Sequence, residues 1–158
     1  MRKVFVRERD LLFALTNQMP KTAHYLDLET GDVIPVFSFN REEILDQVRE
    51  KPERFIRLVP QKKSEGLRMM QRFTATVSRQ DLKTKLAGAL NEGRKFARYR
   101  AVLSAAPEEF KRWQQFRVMV LTEPLKKRLQ ERGWELVLVS DDTPTGAPLT
   151  DDEADEEG

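Results

Sequence analysis

A chain of 158 residues with 28 Lys and Arg, 26 Asp and Glu, one His and no Cys excludes disulfides, thiolate metal sites, cysteine nucleophiles and a multi-histidine metal centre within one chain. The N-terminus lacks an apolar signal segment and no apolar run approaches the roughly 20 residues that span a bilayer, so the sequence reads as cytoplasmic, with no membrane contact. The formal net charge of +2 is uneven, because residues 141–158 hold eight acids and no base and leave the preceding body at +10. The expected organisation is a single globular domain over 1–140, long enough to bury its own core, followed by a disordered acidic tail over 141–158.

Val4-Phe5-Val6 reads as a short strand. Asp10 is positioned to cap a helix through Leu11, Leu12, Ala14 and Leu15 that stops before Pro20. From His24 to Phe37, two apolar-rich arms flank Glu29-Thr30-Gly31. Gly31 suits the left-handed position that closes a hairpin loop, and Pro35 removes a ladder donor, which argues for a free edge on the second arm. Asn40 followed by Glu43 opens a helix with Ile44, Leu45 and Val48 inward, ended by Pro52. Phe55 to Val59 is a strand closed by Pro60.

Ser64 is the expected cap of the next helix, with Leu67, Met70, Phe73 and Val77 on one face and Arg68 and Arg72 outward. Ser78 with Asp81 reads as a capping box for a helix bearing Leu82, Leu86 and Leu90, which ends near Gly93. On a helix from Arg94, the residues Phe96, Tyr99 and Leu103 share a face. Pro107, Glu108 and Glu109 suit the first turn of another helix, whose apolar stripe holds Phe110, Trp113, Val120 and Leu121. Arg117 falls within that stripe and needs a partner, since a buried unpaired charge is costly. Pro124 kinks or restarts this helix, with Thr122 as a cap, and Gly133 stops it. Trp134 to Val139 is the last strand. The predicted fold is α+β, a mostly helical single domain with a β-hairpin and one or two further short strands. Its core should include Leu15, Leu26, Ile44, Phe55, Phe73, Leu86, Leu90, Phe96, Tyr99, Leu103, Trp113 and Phe116.

An ordered series of residues carries a resemblance: Leu11 with Ala14-Leu15, Tyr25-Leu26-Asp27 with Thr30-Gly31, Phe55-Ile56 before Pro60, and Met70 with Phe73. Ala89-Leu90 with Phe96, Arg98 and Tyr99 follow, then Trp113 with Phe116-Arg117. Over residues 10–133 the order and spacing resemble the bacterial uncharacterised protein family (UPF) numbered 0158. That family has no established activity, so the resemblance implies a shared fold and no chemistry. Relatives tend to carry a Gly-Arg-Gly turn where this chain has Glu92-Gly93-Arg94. They have an ordinary helix former at the place of Pro124, and acids at several exposed positions that are basic here.

Signals for catalysis are few. His24 stands near Asp27, but no nucleophile accompanies it, and a surface hairpin residue is the simpler reading. Asp27, Glu29 and Asp32 are too few and too irregular for a calcium loop, and turn chemistry explains them. No phosphate-binding or dinucleotide glycine motif occurs. The chain therefore reads as non-enzymatic, with no cofactor and no metal. Phe96, Tyr99, Trp113 and Phe116 interleave with cations as a nucleic-acid platform would, yet their helical spacing marks them as core. The cations remain: Arg68, Arg72, Arg94, Arg98, Lys111 and Arg112 are the candidate contacts to RNA or DNA backbone, with the acidic tail as competitor. The alternative is a protein–protein adaptor whose basic helices and Pro-bearing hairpin edge dock an acidic protein. Composition leaves the oligomeric state open.

Overall fold

Val4 and Val6 are buried while Lys3, Phe5 and Arg7 are exposed, the alternation of a strand with one inward face. This strand, β1 (Arg2–Arg7), pairs in parallel with β5 (Trp134–Val139). The computed structural model describes residues 1–140, and the acidic tail expected over 141–158 lies outside the described residues. Between the two strands run α1 (Glu8–Thr16), β2 (Ala23–Asp27), β3 (Val33–Val36), α2 (Arg41–Glu50), β4 (Phe55–Leu58), α3 (Lys63–Ala75), α4 (Gln80–Ala89), α5 (Lys95–Ser104) and α6 (Pro107–Glu131). The hairpin strands and β4 form a three-stranded antiparallel sheet in the order β3-β2-β4. The fold is thus α+β and mostly helical, as the sequence implies. The described chain divides into two compact units, one of Met1–Pro60 with residues 122–140, the other the all-helical Gln61–Leu121.

In the first unit, β1 passes into α1 without a loop, and Arg7 occupies the N-cap. Asp10 is therefore not the cap but a first-turn acid, where it still suits the helix dipole. The helix ends where the Thr16 hydroxyl donates back to the Leu12 carbonyl at 2.8 Å. The hairpin closes through Gly31 at φ +82, and the Gly31 N–H donates to the Asp27 carbonyl at 2.7 Å. A methyl group on Gly31 would stand 2.0 Å from the Phe5 carbonyl oxygen, so this turn lies against the outer edge of β1. Asn40 does flank α2, yet its side chain serves the hairpin instead, accepting from Phe37 N–H and donating to the Pro35 carbonyl.

The outer edges of the antiparallel sheet are covered. Pro35, on β3, presents no N–H, and Asn40 takes its carbonyl at 3.1 Å. On β4, the outward carbonyls of Phe55 and Arg57 accept from Arg132 and Arg128 at 3.0 and 2.8 Å. Two arginines one helical turn apart meet two carbonyls two strand residues apart, because both spacings are about 6 Å.

In the helical unit, Met69, Met70, Phe73, Leu82, Leu86, Phe96, Tyr99, Leu103 and Trp113 form the core. Trp113 meets Phe73 and Tyr99 edge-on, with centroids 5.3 and 5.5 Å apart. The Tyr99 hydroxyl lies 2.8 Å from that of Thr74 and donates to the Met70 carbonyl. Of the expected core, Leu90 and Phe116 are only half-buried, while Ala89 takes the inward place beside Leu86. Two cap assignments shift. Ser64 lies inside α3, whose N-cap is Lys62, two residues earlier, where Glu65 accepts from the Lys62 N–H at 2.9 Å. Ser78 lies outside α4, whose N-cap is Arg79, forked onto Asp81 at 3.3 and 3.0 Å.

The helix α6 contributes residues to both units and runs unbroken through Pro124, with Thr122 buried within it and not capping a new helix. A mid-helix proline costs roughly 3 kcal/mol. Burial of Leu121, Leu125 and Leu129 on the same helix is enough to offset that.

Candidate nucleic-acid interface

The helical unit Gln61–Leu121 carries 14 Lys and Arg against five Asp and Glu, whereas residues 1–60 and 122–140 carry 14 against 13. Nearly all of the body's positive excess therefore belongs to one unit. All six candidate cations lie in it.

Arg68 and Arg72 are exposed on one face of α3, four residues apart. The Arg72 guanidinium stands 5.5 Å from the Phe116 ring centre. Arg112 stands 4.5 Å from that of Phe73, and those two rings touch at 5.6 Å. Each of these two arginines, one on α3 and one on α6, thus lies against one ring of the same aromatic pair. Arg112 is half-buried and fully engaged: it pairs with Glu109 at 2.7 Å and donates to the Thr76 hydroxyl and carbonyl at 2.9 and 3.4 Å. Thr76 is the C-cap of α3, so Arg112 brings a cation to the negative end of that helix. Its position is set by folding, and a phosphate would have to compete with Glu109 for it.

Arg98 is also committed. It donates to the Gly93 carbonyl at 2.8 Å and pairs with Glu92 at 3.2 Å, fixing the turn that leads into α5. Arg94 ends that turn in the left-handed region at φ 54; it is exposed and, like Arg98, not without a partner. Lys111 is exposed on α6. Arg117, read from its spacing as needing a partner, is half-buried and partnered.

The remaining sequence signals resolve into structure. His24 is not a surface hairpin residue. It is 5% exposed, because β2 is the central strand and its even-numbered side chains face the core. Phe13 of α1 meets the imidazole edge-on at 5.9 Å, and burial lowers its pKa. Asp27 is 4% exposed and receives both Nε and Nη2 of Arg54, at 2.9 and 2.7 Å, with the Glu29 N–H at 2.9 Å. Burial alone would raise its carboxyl pKa, but these bonds outweigh it and the pKa is lowered.

The model of the Uncharacterised protein family (UPF0158) matches residues 1–149. The chain belongs to this family. The UPF0158 protein PA5073 of Pseudomonas aeruginosa is 30% identical over 117 residues, which cover 73% of this chain and 75% of that protein. No solved structure matches the chain at a significant level. Among the described residues no helix is long and apolar enough to cross a membrane.

For this UPF0158 chain, sequence reasoning found the cations but could not sort them. It missed that Arg112 clamps a helix end and that Arg128 and Arg132 cover a sheet edge. The spacing of Arg128 and Arg132 was visible, but the carbonyls they meet lie some 70 residues away in sequence.

Proposed function

We propose that this UPF0158 protein is a non-enzymatic cytoplasmic binding protein whose helical unit contacts RNA or DNA backbone, with the acidic stretch 141–158 as a tethered competitor. The observation that supports this reading is the concentration of positive charge in Gln61–Leu121. Exposed Arg68, Arg72, Arg94 and Lys111 would supply the phosphate contacts, while Arg98 and Arg112 hold the local structure that presents them. A tethered anion competes at an effective concentration on the order of mM.

The test is nucleic-acid affinity across a salt series, with and without residues 141–158. Affinity should rise on truncation and fall steeply with salt, since each phosphate contact releases counterions. Absence of binding by the truncated chain at ~50 mM salt would sink the proposal, because phosphate contacts are strongest there. Capture of an acidic protein that survives high salt would favour the adaptor instead. The Pro-bearing edge offers little to such a partner, since Asn40 already occupies its carbonyl.

A further inference from the structure

We propose that β5 is a dimerisation edge, at which a second copy of this chain adds its own β5 in antiparallel register. Four strand edges bound the two sheets of the first unit. Gly31 abuts the Phe5 carbonyl on β1, Pro35 and Asn40 block β3, and Arg128 and Arg132 occupy β4. The outer edge of β5 has no such device among the described residues.

The register identifies the groups involved. Arg2 N–H donates to the Gly133 carbonyl, and Arg2 lies opposite Trp134. In a parallel pair this turns the odd residues of β5 toward β1 and leaves the N–H and C=O of Trp134, Leu136 and Leu138 facing outward. Among the described residues no strand pairs with them. The side chains tell the same story. Leu136 and Leu138 lie opposite Val4 and Val6, which are buried, yet they are themselves only half-buried. The core-side face of this sheet runs on past its cover.

The edge is complementary to itself. In the antiparallel register centred on Leu136, each Trp134 faces the other copy's Leu138, and Leu136 faces Leu136. On the opposite face Glu135 meets Val137. No like charges stand directly opposite, and the β1 residue in register with Glu135 is the oppositely charged Lys3. Every outward backbone group of the three residues finds a mate, and the two copies share a four-stranded sheet related by a twofold axis. A foreign charged peptide has no comparable match, because Glu135 is the lone charge on the strand.

Sedimentation of the full chain over a concentration series should show a monomer–dimer equilibrium. Leu136→Pro removes one outward N–H, a change that edge strands tolerate, and should raise the dimer dissociation constant by about tenfold or more. Leu138→Lys keeps the backbone donors and sets a charge on the seam; it decides the matter if the proline variant loses its fold by circular dichroism. Amide exchange supplies an independent reading: Leu136 and Leu138 should slow as concentration rises, while Val137 and Val139, bonded to β1, should be slow throughout. A monomer at all concentrations would overturn the proposal, as would a dimer indifferent to Leu138→Lys with fast exchange at Leu136 and Leu138. Pairing of β5 with a strand of another protein would then be the remaining use of this edge.

Discussion

Gly31 sits against the Phe5 carbonyl so closely that a methyl group on its Cα would stand 2.0 Å from the oxygen. Gly133 has nearly the same backbone angle, φ +84 against +82, but open space around it. The two positions therefore separate backbone strain from collision. Gly133→Ala should cost about 1–2 kcal/mol, the usual cost of a left-handed non-glycine. Gly31→Ala should cost about 3 kcal/mol or more, because a backbone carbonyl in a strand cannot step aside. Urea unfolding of both variants checks this, and equal losses would mean that the hairpin turn moves freely off β1.

Arg112 and Lys111 adjoin in sequence and differ in role. Arg112→Ala removes the cap on α3, the pair with Glu109 and the contact with Phe73, and should lower stability by about 1–3 kcal/mol. Lys111→Ala should stay within about 0.5 kcal/mol. In nucleic-acid titrations the order reverses: Lys111→Ala should reduce the salt slope by about one, as a lost phosphate contact does.

Acid should act on the fold in two stages. Burial lowers the His24 pKa from its ordinary 6.5, so below that pH the unfolded chain binds a proton that the folded chain resists. Stability is full above 6.5 and falls as pH drops through this window. Asp27 is held below its ordinary 3.8; its contribution persists through the first stage and is lost only at lower pH. Urea midpoints against pH should show both stages, and His24→Phe should remove the first. A first stage unchanged in that variant would assign it to another group.

Tyr99 should titrate late. Burial raises its hydroxyl pKa from 10.0 to about 12, although the Thr74 bond pulls the other way. Of the two tyrosines, Tyr25 can be removed as Tyr25→Phe, leaving the ultraviolet phenolate signal to Tyr99. A midpoint at the ordinary value would mean that water reaches the Thr74–Tyr99 pair in the folded chain.

Period and punctuation made most elements legible. Trp134 to Val139 alternates and follows Gly133, and the hairpin around Gly31 carries its own turn signal. Helix starts were less so, because Asp10, Ser64 and Ser78 belong to residue types that serve equally in a first turn or just before one. His24 was misplaced because exposure depends on whether a strand is central, which β4 decides from more than 30 residues downstream. Among the cations, sequence gives charge but not engagement. Arg112 and Lys111 look alike until Thr76 and Glu109 are in place. Arg94 is legible only in the structure: it occupies a left-handed position that glycine fills more easily.

The pairing of Arg2 with Trp134 also orders events during synthesis. Among the described residues the helical unit is one contiguous insert, and the contacts within Gln61–Leu121 can form once residue 121 has left the ribosome. The first strand emerges earliest and must wait for nearly the last, through a loop closure that slows folding. Until then Val4 and Val6 have no strand beside them. A nascent chain stopped before Trp134 would thus hold a finished helical unit and an unfinished first one, vulnerable at β1.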